Sequence, residues 1–213
     1  ARVLTHELAA TPVTVVGSLA TELSGFGLRP DMSNTLIVAI SQSGTTTDTN
    51  RTVDLARARG ASVVAIVNRR NSDLTDKSDG VLYTSDGRDV EMSVASTKAF
   101  YSQIAAGILL AVVLADVAVA SAGPVDPEAA AARDAERAAI LSALHDLPEL
   151  MERTLELRPT IADAAHRFGP PKRYWAMVGN GPNRIAASEL RIKLSELCYK
   201  SISCDVTEDK KHI

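Results

Sequence analysis

The sequence predicts an α/β fold in which parallel strands alternate with helices, and three observations support this prediction. Continuous apolar runs, clearest at residues 35–41 (TLIVAIS) and 62–67 (SVVAIV), are typical of strands that are covered on both faces. Segments with helical spacing follow these runs, and loops of small polar residues connect the two. This alternation indicates parallel sheets flanked by helices.

The composition is that of a globular protein with a substantial core. Of the 213 residues, 46% are hydrophobic and 23% are charged, and the net charge is −3. The absence of a basic run gives no electrostatic reason to expect nucleic acid or an anionic membrane as a partner. Cys198 and Cys204, in a chain without a recognisable signal peptide, favour a reduced, cytoplasmic interior. We expect no metal and no cofactor.

Residues 1–120 are predicted to form a first α/β subdomain. Its most apolar stretch, residues 104–120, is shorter than the roughly 20 residues of a membrane-spanning helix and contains Asp116, which favours a buried core helix. The predicted helices are ARVLTHELA, TTDTNRTVDLARARG and the long VASTKAFYSQIAAGILLAVVLADVAVA. The predicted strands are the short PVTVVGS and TLIVAIS after the first helix, and SVVAIV and GVLYT after the second.

From residue 121 the composition changes to one rich in Ala, Glu, Arg and Leu at helical spacing, interrupted by prolines. Residues 121–168 are therefore predicted to form a connector of two helices. Residues 169–213 are predicted to begin a second α/β subdomain that is incomplete in this chain. Its elements are a strand in RYWAMV, a helix in NRIAASELRIKLSELCYK and a short strand in SISCDV.

The first predicted strand ends in a loop of hydroxyl side chains directly before a helix, which is a chemistry suited to anions. Ser41, Ser43, Thr45 and Thr46 can donate hydrogen bonds, and Gly44 allows close approach of the backbone. The N-terminus of the helix adds roughly half a unit of positive charge. A P-loop is excluded, because no lysine follows the glycine.

Capping of the helix is the alternative interpretation of these residues. For Thr47 and Asp48 we favour it, whereas the whole run exceeds what a cap requires. A second hydroxyl cluster, SVASTKAF at residues 93–100, again precedes a long helix, so that Ser96 and Thr97 either face the same crevice or cap that helix.

A few charged residues have positions on the predicted helices that call for an explanation. Lys98 falls in the first turn of the long helix, where a cation is unfavourable, which suggests another role. Glu189, Lys193 and Glu196 share one face of the later helix, and a surface ladder of salt bridges is the simplest explanation for them. His212 is by itself an ordinary terminal histidine.

At SQSGTTTDT, SDGVLYT and VASTKAF the sequence resembles the sugar isomerase (SIS) domain family, in the form found in the isomerase region of glutamine-fructose-6-phosphate aminotransferases. The resemblance is close over residues 1–120 and looser beyond. It implies tandem SIS subdomains, each a parallel sheet flanked by helices. It also implies a hexose phosphate substrate, with the phosphate bound by Ser41, Gln42, Ser43 and Thr46.

The same resemblance implies roles for five further residues. The Val94 backbone and Ser96 would contact the sugar, Glu196 would move a proton between C1 and C2, and Lys193 would support it electrostatically. Enediol chemistry needs such a carboxylate and a cation beside it. His212 would assist ring opening from a partner subunit, so a homodimer is expected.

The sequence also departs from the family. EDKKHI stands here in place of the family's GELKHGP around His212, so residues 207–212 form a divergent loop of undefined role. The family's first strand, its C-terminal lysine tail and its glutaminase domain are absent from this sequence, and we expect that glutaminase domain in the full-length chain. The alternative function is a SIS sensor, which binds a sugar phosphate without catalysing a reaction and has no need for Glu196.

Overall fold

The computed structural model describes residues 2–88, 90–123 and 126–211. It contains two compact units, residues 1–140 and 141–213. The first unit holds a three-stranded sheet and the second a two-stranded sheet, and both sheets are parallel. The predicted α/β class, with parallel sheets flanked by helices, is therefore confirmed. The predicted subdomain boundaries at residues 120 and 168 stay a prediction.

The sheet of the first unit has the strand order β1–β2–β3. Ser41 at the end of β1 is level with Val67 at the end of β2, which is level with Tyr83 at the end of β3. The residues that follow these strands therefore start from one common edge. The strands are β1 (Leu36–Ser41), β2 (Ser62–Val67) and β3 (Gly80–Tyr83).

The helices of the first unit connect these strands. After α1 (Arg2–Glu7), a short α2 (Ala20–Glu22) continues into a π-helical turn at Leu23–Gly27. Helix α3 (Thr47–Arg57) links β1 to β2, and α4 (Asp73–Asp76) links β2 to β3. Two long helices, α5 (Lys98–Ala122) and α6 (Pro127–Leu155), follow β3.

The core of the first unit lies where α3 and α4 cover the sheet. Val53 from α3 and Leu74 from α4 pack with Val63 and Ala65 of β2 and Ala39 of β1, and all five are buried. The burial of β2, the central strand, explains its apolar run without alternation, whereas β1 is an edge strand whose residues are only partly buried. This packing fixes the starts of α3 and α4 relative to the carboxyl edge of the sheet.

The short strand predicted at PVTVVGS is wrong. Residues 12–18 form neither helix nor strand, and Val13 and Val16 are exposed. Extended backbone becomes a strand only when a neighbouring strand accepts and donates its hydrogen bonds. Within the described residues no strand pairs with this segment.

Helix α5 forms where a long helix was predicted, but it is not the buried helix we expected. Its small residues Ala99, Ala111 and Ala115 are buried, whereas Val113 and Val117 are 56% and 58% exposed. Its segment Lys98–Ser121 is long and apolar enough to span a membrane, with mean hydropathy 2.4, although this criterion rests on length and composition alone. The helix thus presents an apolar face that its own unit leaves uncovered.

The second unit pairs two parallel strands next to a long helix. Strands β4 (Trp175–Val178) and β5 (Ile202–Asp205) align Trp175 with Ile202. Its helices after α6 are α7 (Arg158–Phe168), α8 (Pro182–Cys198) and α9 (Thr207–Lys210). Helix α8 packs on both strands, and Ala187 and Ile202 are buried there.

Candidate functional site

The hydroxyl loop lies at the carboxyl edge of the first sheet, between β1 and α3. Ser41 is buried, and its Oγ accepts a hydrogen bond from the amide of Gly44 over 3.1 Å. This bond closes the loop on itself directly after the strand. Ser41, which the resemblance assigns to phosphate binding, therefore also shapes the loop from inside.

Gly44 occupies a position that only glycine fits. Its φ of 68° lies in the left-handed region, and a Cβ there would fall 2.7 Å from the Cβ of Ser72. The Gly44 carbonyl also accepts the amide of Leu74 over 3.1 Å, at the start of α4. The loop is thus held against the segment that follows β2.

Asn50, which the sequence analysis missed, fixes the loop to the first turns of α3. It is buried, and its Nδ2 donates to the carbonyls of Gly44 at 3.0 Å and Thr46 at 3.1 Å. The bond to Thr46 spans four residues within the helix, and such side-chain bonds to a preceding carbonyl are known for short polar residues. An asparagine near the start of a predicted helix was visible in the sequence, but it does not by itself indicate a bond to the loop.

Two of the remaining hydroxyl residues are open to solvent, and Ser43 is half-buried. Thr45 and Thr46 are exposed, and Ser43 Oγ accepts bonds from the Thr45 amide at 3.2 Å and the Thr45 hydroxyl at 3.1 Å. Thr46 is the N-cap residue of α3, yet its side chain caps no amide of the described helix. An open helix N-terminus with adjacent hydroxyls is suited to binding an anion.

The caps predicted at Thr47 and Asp48 are wrong. Both residues lie inside α3, as its first two positions, and Thr46 takes the N-cap position instead. The start of the helix is shifted because the Asn50 side chain and the Asn50 amide both bond to the Thr46 carbonyl, which makes Thr46 the residue that flanks the first turn.

Gln42 joins the hydroxyl loop to the segment before α5. Its Nε2 donates to the carbonyls of Glu91 at 2.8 Å and Ser93 at 3.2 Å. Asn68, which follows β2 and is fully buried, donates its Nδ2 to the same Glu91 carbonyl at 3.2 Å. The Gln42 carbonyl in turn accepts the amides of Asn68 and Arg69. These bonds fasten together the segments that follow β1, β2 and β3.

The carboxylate of Glu91 caps α5. It accepts the amides of Thr97 and Ala99, both at 2.7 Å, the Thr97 hydroxyl at 3.1 Å and, more weakly, the Ser96 hydroxyl at 3.5 Å. Burial acts to raise the Glu91 pKa, but the two amide bonds and the nearby charge of Lys98 outweigh it, and the pKa is lowered. Lys98 in the first turn therefore has an anionic neighbour.

Val94 and Ser96 form a tight turn between Glu91 and α5. The Val94 side chain is 87% exposed, and the Val94 carbonyl accepts the Ser96 amide over 2.8 Å. Thr97 is the N-cap residue of α5 but makes no side-chain cap bond within the described helix. Capping by these hydroxyls was one of the two interpretations left open, and the cap is instead supplied by Glu91, which no local sequence signal indicated.

The charged residues of α8 form an ion-paired cluster in the second unit. Lys193 Nζ lies 2.8 Å from Glu189 Oε1 and 3.7 Å from Glu196 Oε2, with side-chain exposures of 17% for Lys193, 20% for Glu189 and 35% for Glu196. The closer partner of Lys193 is therefore Glu189. Glu196 is the more accessible carboxylate, and it lies beside a cation without being tightly bound to it.

The end of the chain holds a further set of ion pairs. Lys210 lies 2.9 Å from Asp205 and Lys211 lies 2.8 Å from Glu208. The hydrogen bond from Lys210 is the largest cause of a lowered Asp205 pKa. His212 lies outside the described residues, so its predicted role stays a prediction.

Two other features are separate from the predicted site residues. Among the described residues, His6, Glu7 and Glu136 could together hold a metal ion, and His6 already bonds to Glu136 at 2.9 Å on the surface. An open cavity at the end of β3 has Arg70 over the ring of Tyr83 at 4.2 Å. The cavity is lined by Arg70, Tyr83, Thr84, Ser85, Asp86 and Arg88.

Known proteins share this sequence pattern and this fold. Residues 9–113 match the model of the SIS domain. The glutamine–fructose-6-phosphate aminotransferase [isomerizing] of Symbiobacterium thermophilum is 35% identical over 179 residues, covering 84% of this chain and 27% of that protein. The chain thus spans about a quarter of the length of this curated relative.

Solved structures agree with the sequence match. The C-terminal domain of glucosamine-fructose-6-phosphate aminotransferase from Francisella tularensis has a TM-score of 0.76 at 26% identity, covering 99% of this chain and 55% of that chain. A proposed phosphosugar isomerase of Clostridium difficile has a TM-score of 0.77 at 21% identity, covering 99% and 56%. The second likeness concerns the fold alone.

Proposed function

The chain belongs to the SIS domain family, and on this premise we propose that it is the sugar-phosphate isomerase region of an enzyme like glutamine-fructose-6-phosphate aminotransferase. The substrate is fructose 6-phosphate, and the product of the full-length enzyme is glucosamine 6-phosphate. The observation that carries the proposal is the open N-terminus of α3 beneath the exposed Thr45 and Thr46, in a loop fixed by Gly44 and Asn50.

The loop binds the phosphate without a basic side chain. The amides at the start of α3 carry partial positive charge, and hydroxyls of Ser43 and Thr46 supply further donors. Ser41 and Gln42 keep the loop in shape through their bonds to Gly44 and Glu91, and the resemblance assigns both to the phosphate as well. The Val94 backbone and Ser96 contact the sugar hydroxyls.

Glu196 transfers the proton of the isomerisation. A carboxylate that takes a proton from C1 of the open-chain sugar and returns it to C2 passes through an enediol, whose oxygen develops negative charge. Lys193, 3.7 Å from Glu196, stabilises that charge. His212 of a second subunit assists ring opening, as the resemblance implies.

A homodimer is the proposed assembly, and a glutaminase domain is the proposed companion in the full-length chain. The exposed apolar face of α5, which includes Leu109, Val113 and Val117, supports a protein partner. Sedimentation equilibrium of the full-length protein tests this proposal. We expect a dimer that Val113→Glu combined with Val117→Glu converts to monomer, and a wild-type monomer would contradict the assignment.

The experiment that tests the function uses the full-length protein with fructose 6-phosphate and either glutamine or ammonia. Glucosamine 6-phosphate and glucose 6-phosphate are assayed, and substrate affinity is measured by calorimetry. We expect turnover that Glu196→Gln reduces about 10³-fold or more with little change in affinity, because the carboxylate acts on the carbon chain. Glu152→Gln, an exposed position on α6, serves as the matched control.

The outcomes separate the proposal from its rival. Tight binding of fructose 6-phosphate without turnover by the wild-type protein would instead identify a sensor. Turnover that survives Glu196→Gln would refute the role of Glu196. The absence of both binding and turnover in a folded wild-type protein would overturn the proposal as a whole.

A further inference from the structure

Two of the helices that begin at the carboxyl edge of the first sheet, α3 and α5, differ in the charge at their N-termini. Helix α3 starts directly after the hydroxyl loop. Helix α5 starts after the segment that Gln42 ties to that loop through the carbonyls of Glu91 and Ser93. An unoccupied helix N-terminus has unpaired amides and a partial positive charge, and it therefore attracts the phosphate of a bound ligand.

The N-terminus of α5 is already occupied by an anion of the chain itself. Glu91 accepts the amides of Thr97 and Ala99 at 2.7 Å each, which satisfies two of the amides that a helix leaves unpaired. Its negative charge offsets the partial positive charge of the helix. A second anion at this point would meet electrostatic repulsion and find these amides engaged.

The N-terminus of α3 has no such occupant among the described residues. Its N-cap residue, Thr46, makes no side-chain cap bond, and Asp48 in the first turn is exposed. The hydroxyls of Thr45 and Thr46 are open to solvent beside it. Of the two helix starts, this one remains available to a phosphate.

We propose that Glu91 is a positioning residue that sets the orientation of the bound sugar phosphate. Its carboxylate engages the amides at the start of α5, so the phosphate binds at the start of α3. The same carboxylate orders the turn at Val94 and Ser96, which presents neutral groups to the sugar. This inference rests on the proposed function. The Glu91 carbonyl strengthens the arrangement, because Gln42 and Asn68 both donate to it and so couple the two ends of the site.

The test compares two ligands on the full-length protein, inorganic phosphate and fructose 6-phosphate, by calorimetry. In Glu91→Gln an amide group replaces one carboxylate oxygen, so one helix amide loses its acceptor and the local negative charge is removed. We expect the Kd of fructose 6-phosphate to rise about tenfold, as for a lost charged hydrogen bond, while inorganic phosphate binds as tightly as before or more tightly.

A second variant keeps the test decisive if Glu91→Gln fails to fold. Glu91→Asp retains the charge but is one methylene shorter, so it cannot hold both amides. We expect weaker binding of fructose 6-phosphate with unchanged binding of inorganic phosphate. Asp126→Asn is the matched control, because Asp126 caps α6 through the amide of Ala129 in the same way. We expect it to change neither affinity.

The outcomes distinguish this inference from the function on which it rests. A folded wild-type protein that binds neither ligand overturns the proposed function. A wild-type protein that binds both, with Glu91 variants that bind both equally well or lose both in parallel, overturns the positioning role alone. An equal effect of Asp126→Asn overturns it too, since the effect would then follow from helix capping in general.

Discussion

Lys193 holds its ammonium nitrogen 2.8 Å from Oε1 of Glu189, closer than its 3.7 Å approach to Glu196. Glu189 therefore draws Lys193 away from the carboxylate proposed to transfer the proton. Without the charge of Glu189, Lys193 would be free to form a close ion pair with Glu196 on the same face of α8.

The first prediction concerns the choice of Lys193 between its two carboxylate partners, Glu189 and Glu196. Glu189→Gln should allow Lys193 to pair closely with Glu196, which engages the carboxylate that transfers the proton and reduces kcat about tenfold with little change in KM. Steady-state kinetics with fructose 6-phosphate measure both constants. Unchanged kcat in a folded variant would show that Glu189 has no part in tuning Glu196.

The second prediction concerns Gly44. Gly44→Ala should lower the free energy of unfolding by about 2 kcal/mol or more, because the left-handed φ is strained for alanine and its Cβ would overlap Ser72. Urea denaturation measures the change. Gly25→Ala is the control, since a Cβ at Gly25 meets no atom within 4 Å, and we expect it to leave stability nearly unchanged. Equal stability of the two variants would contradict the described loop.

The third prediction separates binding from folding within the hydroxyl loop. Thr46→Val should change the free energy of unfolding by less than about 0.5 kcal/mol and weaken fructose 6-phosphate binding, since its hydroxyl is exposed and caps no described amide. Ser41→Ala should cost about 1 kcal/mol, because the Gly44 amide loses its buried acceptor. Calorimetric titration and urea denaturation of both variants measure these effects, and a reversed pattern would refute the division of roles.

The fourth prediction concerns acid stability. Asp79 accepts bonds from Arg57 at 2.8 Å and from the Val63 amide at 2.7 Å, and the Arg57 bond is the largest cause of its lowered pKa. Its contribution to stability is therefore complete above the unfolded pKa of about 4 and is lost as the pH falls through the lower folded value.

Urea midpoints measured between neutral pH and pH 3 test the role of Asp79. We expect the wild-type midpoint to fall in acid and the fall to be smaller in Asp79→Asn, which cannot ionise. Asp86→Asn is a suitable control, because among the residues that the structure describes Asp86 pairs only with the highly exposed Arg88. An acid response in Asp79→Asn equal to that of the wild type would exclude Asp79 as a source of it.

The elements of the first sheet could be predicted because their signals are local. The apolar run of β2 reflects burial on both faces. The apolar run of β1 marks a strand that is partly exposed at the edge of the sheet, and the hydroxyl loop marks its end at Ser41. The strand predicted at residues 12–18 was wrong for a physical reason. A strand depends on a neighbour for its hydrogen bonds, and apolar residues alone do not supply one.

The contacts that organise the candidate site could not be predicted, because they join distant parts of the chain. Gln42 and Glu91 lie 49 residues apart in sequence and 2.8 Å apart in space. Nothing near Glu91 in the sequence indicates that it caps α5, and hydroxyls beside that helix offered a simpler explanation. The burial of α5 was likewise overestimated, since composition does not reveal which helix faces remain uncovered.

The most direct test of the account is a titration of the full-length protein, labelled with ¹⁵N at threonine, with fructose 6-phosphate. We predict that the amide resonances of Thr45, Thr46 and Thr47 shift as the sugar phosphate is added and stay in place when unphosphorylated fructose is added. Binding of fructose 6-phosphate with these three resonances unmoved would contradict the claim that the start of α3 holds the phosphate.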